Sequence, residues 1–451
     1  MNQLQQLFKN LTLSTAKDML ITTCKRFWVQ LSCATILAIM AMLYNDYTGQ
    51  PLPLESFLTH LGYILGFGAL IDFTLVMWGQ NPRFIKHARL TRIILWLLLV
   101  VYLAFLTSYK MFDQSHQQAF WLANFSIITT AMLMAPFICF INQKAEGDLF
   151  AYNLMMKWVK YNILIYITFW ILCGALAGLS ESMSLLFGTT TSPNGYLYMA
   201  IIILWMYVWA FCMLIPQGNQ LYDDSTTGVP IIQKGVMYVI LPLLLLYIVV
   251  LLVYALRILI AWELPEGMVS YLVSGIMFGY ILCYTFLYPR IMDTTSRLSL
   301  IMRKIIPACM LPLLILMTVG IIRRVADYGI TVERLYLITL LLWFYGVCII
   351  VFVQSIPRLR WIFLSFAALF LISSAQPFNY TTICERVHTQ KFEQLLEQHN
   401  LPLRDWDKSS TFHELPEDVQ QDINEKKSYI IRKYGVKSLK GLGWTARKAR
   451  C

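Results

Sequence analysis

Residues Met237 to Ala261 read MYVILPLLLLYIVVLLVYALRILIA, and Arg257 is the one charged side chain among them. A helix needs about 20 consecutive apolar residues to cross the roughly 30 Å hydrocarbon core of a bilayer. This stretch is long enough and apolar enough to do so. It therefore predicts a membrane-spanning helix.

Similar apolar blocks recur along the whole chain. Hydrophobic residues make up 58% and charged residues 14% of the 451 residues, whereas roughly a quarter of the residues in soluble domains are charged. We count eleven spans, at residues 27–44, 56–79, 92–108, 118–142, 157–179, 196–216, 237–261, 268–289, 304–322, 335–355 and 359–376. The blocks lack the alternating pattern of barrel strands, and only helices or closed barrels satisfy the backbone in lipid. The predicted fold is all-α: a polytopic transmembrane helical bundle with a short soluble α-helical C-terminal tail.

Lysine and arginine give the predicted bundle a direction. If the N-terminus is cytoplasmic, the inside segments carry 18 of these residues and the outside loops carry 4. The inside residues are Lys9, Lys17, Lys25, Arg26, Arg83, Lys86, Arg89, Arg92, Lys144, Lys157, Lys160, Lys234, Arg290, Arg297, Arg303, Lys304, Arg358 and Arg360. The outside residues are Lys110, Arg323, Arg324 and Arg334. Because cytoplasmic loops of membrane proteins carry such an excess, we expect a cytoplasmic N-terminus and an outside C-terminal tail.

Three regions follow from these boundaries: an N-terminal segment at 1–26, a membrane domain at 27–376 and a soluble tail at 377–451. The N-terminal segment forms either an amphipathic helix on the membrane surface or a short solvated lead-in. The tail is predicted to hold helices near 387–399 and 417–434. Two helices are too few for a core of their own, so we expect the tail to pack on the outer membrane face or to belong to a larger domain.

Tryptophan marks the expected membrane boundaries. Indole rings favour the interface between lipid and water. The tryptophans near predicted span ends are Trp28, Trp78, Trp121, Trp158, Trp262 and Trp361. We interpret them as belt and packing residues.

Asp72 is the clearest ionisable side chain inside a predicted span. A carboxylate at that depth is costly and usually faces a partner or a water-filled cavity. One interpretation is a role in moving a proton or a cation. The other is a carboxyl group that is hydrogen-bonded to a neighbouring helix or lies closer to the interface, and we favour this one.

A second group of charged and polar residues is expected at the outer ends of the seventh to tenth spans. Opposite charges near a membrane surface tend to pair, so these residues predict a polar cluster that joins two loops. The candidates are Arg257, Glu263, Glu266, Arg323, Arg324, Asp327, Tyr328 and Arg334. The cluster either binds a ligand or only holds helices together, and we favour the second.

The sequence gives no indication of a cofactor, a metal or a catalytic site. Seven of the ten cysteines lie in apolar blocks, where cysteine acts as a small hydrophobe, and no pair has the spacing of a metal site. Phosphate-binding glycine loops, paired metalloprotease histidines and nucleophile elbows are missing. The net charge of +11 is explained by cytoplasmic loops that meet anionic lipid, so we expect no nucleic-acid partner.

Two segments resemble a known family. Trp262-Glu263-Leu264-Pro265-Glu266-Gly267 with Val269 to Gly275, and Ala326 to Thr331, look like the signatures of the domain of unknown function four-one-five-three. The resemblance implies a polytopic inner-membrane protein of bacteria, of the Bacteroidetes kind, without a defined activity. It also implies a longer outer C-terminal region, so we expect the tail here to be truncated or altered.

Three functions stay open at this point. The first is a non-enzymatic envelope protein for interaction or sensing, with a protein partner on the tail and the lipid bilayer around its spans. The second is a transporter or channel for a small solute or ion, which rests on the span count and Asp72. The third is a membrane-embedded enzyme that acts on lipid or a lipid-linked substrate. We favour the first, in the cell inner membrane, and leave the oligomeric state open.

Overall fold

The computed structural model describes residues 13–46, 55–80, 85–108, 117–141, 143, 145–187, 193–216, 221, 230–261, 268–354, 356–374, 379–402, 406, 409–434 and 439. Within these ranges the chain is helical and contains no strand, so the predicted all-α fold is confirmed. The first six long helices are α1 Leu13–Asp46, α2 Glu55–Trp78, α3 Ile85–Ser108, α4 Gln117–Ile138, α5 Ala145–Phe187 and α6 Pro193–Leu214. They are followed by α7 Pro230–Ala261 and α8 Met268–Phe286.

The second half continues with α9, which consists of Arg297–Leu300, Ile301–Ile305 and Ile306–Tyr328 in direct succession. The remaining long helices are α10 Val332–Val353, α11 Leu359–Ser374, α12 Tyr380–Gln398 and α13 Glu417–Tyr434. Single turns occur at Tyr288–Ile291 and Ser410–His413. Each of α1 to α11 covers most of one predicted apolar block, although the blocks at 56–79, 118–142, 196–216, 268–289, 335–355 and 359–376 extend past the helix ends. In the tail, α13 has the expected bounds, and α12 begins at Tyr380 rather than at residue 387.

Eight of the described helices are long and apolar enough to cross a membrane. Three shorter apolar stretches, Leu90–Val101, Leu122–Ile138 and Leu359–Ser374, lie within α3, α4 and α11. The chain is therefore an integral membrane protein in a lipid bilayer. A total of eleven spans, and their direction, stay predictions.

Proline shapes two of the long helices. In α7 a π-helical turn at Val236–Ile240 comes just before Pro242. In α9 a second π-helical turn at Ile301–Ile305 comes just before Pro307. Proline has no N–H to donate, and its ring clashes with the carbonyl one turn earlier. A wider turn before the proline relieves that clash, which accounts for the position of both π turns.

The helices pack as two groups that share one core. In the first group α1 contacts α2 and α6, and α2 contacts α3 and α4. In the second group α9 packs against α7, α8 and α10. Helix α11 joins the groups because it contacts α10 of the second group and packs chiefly on α4 of the first. The rings of Phe137 on α4 and Phe363 on α11 stack with centroids 5.3 Å apart.

The tryptophans separate into two kinds. Trp28 and Trp361 are exposed at 60% and 49%, as expected for rings that face lipid or its headgroups. Trp158 is 8% exposed and packs between Phe73 and Phe211. Trp158 is therefore a packing residue, and the interpretation of these tryptophans as belt and packing residues allows both kinds.

Candidate functional site

The carboxylate of Asp72 is fully buried and surrounded by donors. The guanidinium of Arg92 donates to both of its oxygens. Gln30 Nε2 donates to Oδ2 at 2.7 Å, and Trp96 Nε1 donates to Oδ1 at 3.2 Å. Asp72 also lies near the end of α2 at Trp78, about 9 Å away along the helix axis. This geometry corresponds to the hydrogen-bonded interpretation of Asp72.

Arg92 is the first residue of the predicted span 92–108 and was counted with the inside cations, but the structure places it deeper in its helix. Helix α3 begins at Ile85, so Arg92 lies about two turns inside it. Arg92 and Trp96 are four residues apart and share one face of α3, from which both reach Asp72. A proton or cation role for Asp72 would first require this pair to break.

The predicted outer-face cluster is described only in part. Glu263 and Glu266 lie outside the described residues, and so do the side chains of Asp327 and Tyr328, although α9 includes their backbone. Arg257 is exposed on α7. The described residues therefore do not test a connection between the two loops.

Three further arginines of that cluster are described. Arg323 is exposed and Arg324 is half-buried near the end of α9. The guanidinium of Arg334 donates to the carbonyl of Gly329, and the backbone N–H of Arg334 donates to Thr331 Oγ1 at 3.4 Å. Arg334 thus stabilises the turn between α9 and α10, and Thr331 caps α10.

The tail forms a C-terminal module, which we define as the described residues from Asn379 to Leu439. Its buried core consists of Cys384, Phe392, Leu396, Leu401, Trp406, Phe412, Ile423, Ile430, Tyr434 and Leu439. Ile330 packs against this core from the turn between α9 and α10, and Val332 and Leu335 pack against it from the start of α10. Two helices thus obtain a core because the membrane domain supplies one side of it.

Polar contacts also connect the module to that turn. Nε2 of His388 hydrogen-bonds to the carbonyl of Ile330 at 3.0 Å, so this nitrogen carries the proton. Burial lowers the pKa of His388, the nearby Lys391 lowers it further, and the bond to Ile330 opposes both. Lys433 on α13 pairs with Glu333 on α10 at 3.2 Å. The module therefore contacts this region through its apolar core, through the hydrogen bond of His388 and through the exposed ion pair of Lys433 and Glu333.

Beside this junction lies a cavity of about 430 Å³, which we call the aromatic groove. Helices α8, α10 and α11 form its walls, and their lining residues are Tyr271, Phe278, Glu333, Tyr336, Leu337, Thr339, Leu340, Trp343, Phe366, Leu369, Phe370 and Ser373. The hydroxyl of Tyr336 hydrogen-bonds to Ser374 Oγ at 2.8 Å, and Thr339 hydrogen-bonds to Tyr380 of the module. An apolar cavity of this size with a few placed polar groups is typical of ligand pockets.

A second polar region lies at the opposite helix ends, which we call the Asp148 end. Asp148 at the start of α5 is buried and pairs with the buried guanidinium of Arg360 at the start of α11. Arg360 also donates to the carbonyls of Ile141 and Gln143, at 3.1 and 2.7 Å. One side chain thus joins α11 to the connection between α4 and α5.

The same end holds a group of buried tyrosines. Tyr152 donates to the carbonyl of Phe286 at 3.1 Å, and Tyr288 donates to the carbonyl of Pro357 at 3.0 Å. Each hydroxyl satisfies a backbone carbonyl near a helix end, where the last carbonyls lack partners within the helix. These contacts stabilise the bundle.

Sequence reasoning did not single out the Asp148–Arg360 pair. It counted Arg360 among the loop cations that set the direction of the bundle, and it placed Asp148 in the loop between two predicted spans. The neighbouring Gly147 shows how closely the chain packs beside this pair, because a Cβ there would lie 2.8 Å from the carbonyl oxygen of Phe140. Only glycine fits at such a close approach.

Comparison with known proteins gives one family. A family model described as Domain of unknown function (DUF4153) matches residues 26–393. No curated protein and no solved structure matches the chain. Helix α13 lies beyond the matched residues, whereas the Asp72 pair, the Asp148–Arg360 pair and the aromatic groove lie within them.

Proposed function

We propose that the chain, which belongs to the family described as Domain of unknown function (DUF4153), is a non-enzymatic envelope protein for interaction or sensing. The family description itself assigns no activity. Its C-terminal module presents a surface to a protein partner. The membrane domain holds that module through a shared apolar core. We place the protein in the bacterial inner membrane with a cytoplasmic N-terminus and an outside tail.

The observation that carries this proposal is the shared core of the module and the membrane domain. Ile330 lies in the turn between α9 and α10, and Val332 and Leu335 lie at the start of α10, yet all three pack on the module core. A binding event on the module therefore reaches α9 and α10 directly. Such a connection suits a protein that reports an outside contact to its spans.

A photo-crosslinking experiment in living cells tests the interaction. A photoreactive amino acid at the exposed position Ser428 of α13 should give adducts of discrete mass, and the exposed position Thr294 at the Asp148 end is the control. The variant Leu335→Asp should abolish the adducts, because a carboxylate at the module core separates module and spans. Equal adducts at both positions, or none, would contradict the proposal.

Cysteine labelling tests the direction of the chain. One added cysteine within 325–333 should react with an impermeant reagent in intact cells, and one at Asp293 should react only after the membrane is opened. Cys24 is exposed, so the parent for these variants carries serine at that position. Labelling of 325–333 from the cytoplasm alone would overturn the proposed orientation.

The aromatic groove favours one alternative, a protein that binds lipid or acts on a lipid-linked substrate. Its walls belong to membrane spans, and Glu333 lies at its rim. Lipid extracts of a deletion strain test this alternative, since an altered profile restored by the wild-type gene would support it. The transporter alternative has less support, because Asp72 is already paired, and a transport defect in Asp72→Asn would revive it.

A further inference from the structure

A second cavity, of about 340 Å³, lies where α10 ends and α11 begins. Its lining residues are Gln354, Ile356, Arg358 and Trp361. Ile356 and Trp361 are each 49% exposed, so the cavity opens on the outer surface of the bundle. Tryptophan at a helix end favours the depth of the lipid headgroups. The cavity therefore lies at the membrane interface of the Asp148 end.

The guanidinium of Arg358 is available to a ligand at this cavity. It is half-exposed, and within the described part of the chain its side chain has no hydrogen bond or ion pair. Its backbone N–H donates to Gln354 Oε1 at 3.2 Å, which fixes the connection between the two helices. The buried acid Asp148 on the neighbouring α5 is paired with Arg360, and Arg358 acts on its carboxylate only through a weaker electrostatic attraction.

The end of α10 adds no uncompensated negative charge. The last carbonyls of a helix carry a partial negative charge. Arg303 donates to the carbonyl of Gln354, and Lys304 donates to the carbonyl of Phe352. Lys304 also lies 4.3 Å from the centre of the Phe352 ring. Two cations thus cover the helix end that forms one wall of the cavity.

We propose that this cavity binds the phosphate group of an anionic glycerophospholipid. Arg358 forms the charge-assisted hydrogen bonds to the phosphate, for which a guanidinium is well suited. Ile356 and Trp361 contact the glycerol and the first methylenes of the acyl chains. Basic pockets between spans are known to bind such headgroups. This site lies at the opposite end from the C-terminal module and does not depend on the function proposed for it.

Titration of the purified full-length protein with phosphatidylglycerol, followed by native mass spectrometry, tests the proposal. One lipid should bind more tightly than the rest. Arg358→Gln should weaken that binding by about fivefold, which corresponds to about 1 kcal/mol for one cation at a membrane surface. Arg358→Lys should retain part of it. Arg297→Gln is the matched control, because Arg297 is exposed at the same end but does not line the cavity.

Competition identifies the source of the phosphate group. Phosphatidylcholine and inorganic phosphate should both fail to displace phosphatidylglycerol at equal concentration. If inorganic phosphate displaces phosphatidylglycerol, the lipid assignment is overturned. If Arg297→Gln and Arg358→Gln lose equal lipid affinity, the attraction is diffuse and the cavity is not the site. The melting temperature of each lipid-free variant should equal that of the wild type. A lower melting temperature together with normal lipid binding would also contradict the proposal.

Discussion

Arg360→Met is expected to destabilise the bundle strongly, because it leaves the carboxylate of Asp148 buried without its cation. Asp148 is 1% exposed and Arg360 is 7% exposed, so water cannot readily replace the lost partner. Removal of one member of a buried ion pair costs about 3–5 kcal/mol of unfolding free energy. The carbonyls of Ile141 and Gln143 lose their donor as well, and this loss falls within the same range.

The double variant Asp148→Leu with Arg360→Met distinguishes a buried pair from a merely well-packed arginine. Replacement of both charges by apolar groups is often neutral, so the double variant should lose about 2 kcal/mol less than the single variant Arg360→Met. The coupling free energy between the two positions should therefore be at least about 2 kcal/mol, because Asp148→Leu alone also destabilises the bundle by leaving Arg360 unpaired.

Reversible unfolding in mixed micelles measures these free energies. Thermal melting in detergent ranks the stabilities of the variants independently. Arg358→Met is the matched control, since Arg358 lies two residues away and has no side-chain bond within the described residues. It should change the unfolding free energy by no more than about 0.5 kcal/mol. Equal effects of Arg358→Met and Arg360→Met, or a double variant as unstable as the sum of the singles, would refute this reasoning.

Three further predictions concern other parts of the chain. Gly68→Ala should lower the free energy of unfolding by about 1–3 kcal/mol and shift tryptophan fluorescence, because its Cβ would lie 2.1 Å from the Trp96 ring. Gly66→Ala is the control, since a Cβ there meets open space, and it should leave the melting temperature unchanged or slightly higher. Acidification below about pH 6.5 should lower the protection of the module against hydrogen exchange, measured relative to the intrinsic exchange rate at each pH, because the lowered pKa of His388 means that the unfolded chain binds more protons there. His388→Gln should remove that pH dependence. Ile330→Asp should raise exchange throughout α13 at any pH and leave the spans protected, whereas uniform protection would contradict the shared core.

The helices could be predicted because a bilayer leaves the backbone few choices. Apolar blocks such as 237–261 must form helices to satisfy their own backbone, and α7 contains that block. The structure extends several of them beyond the predicted ends. Helix α5 begins at Ala145 rather than at residue 157, because lysines and acids can continue a helix outside the hydrocarbon core. Hydropathy detects the lipid boundary and not the end of the helix.

The partners of the buried charges could not be predicted in the same way. Arg92 was counted with the inside cations at the start of the span 92–108. A count of charges does not distinguish an arginine that faces water from one that pairs with a buried carboxylate. The local signal was its spacing of four residues from Trp96, which places both side chains on one face of α3. The pairing of Asp148 with Arg360 joins residues that are 212 positions apart. No local pattern contains such a pairing, because it depends on α11 returning to pack beside α4 and α5.

The two ends of the bundle differ in how readily they should open. At the Asp148 end, buried arginines bond to a carboxylate and to backbone carbonyls, so a rearrangement there would expose several desolvated groups at once. At the other end the module packs on Ile330, Val332 and Leu335, and Lys433 and Glu333 form an ion pair. The side chains of that pair are 33% and 66% exposed, and such surface pairs contribute about 0–1 kcal/mol. Separation of charged groups should therefore cost far less at the module than at the Asp148 end, and the apolar contacts are the main resistance to movement of the module. A protein that senses through its tail needs this asymmetry, because binding energy of a few kcal/mol can then shift the module and leave the Asp148 end in place.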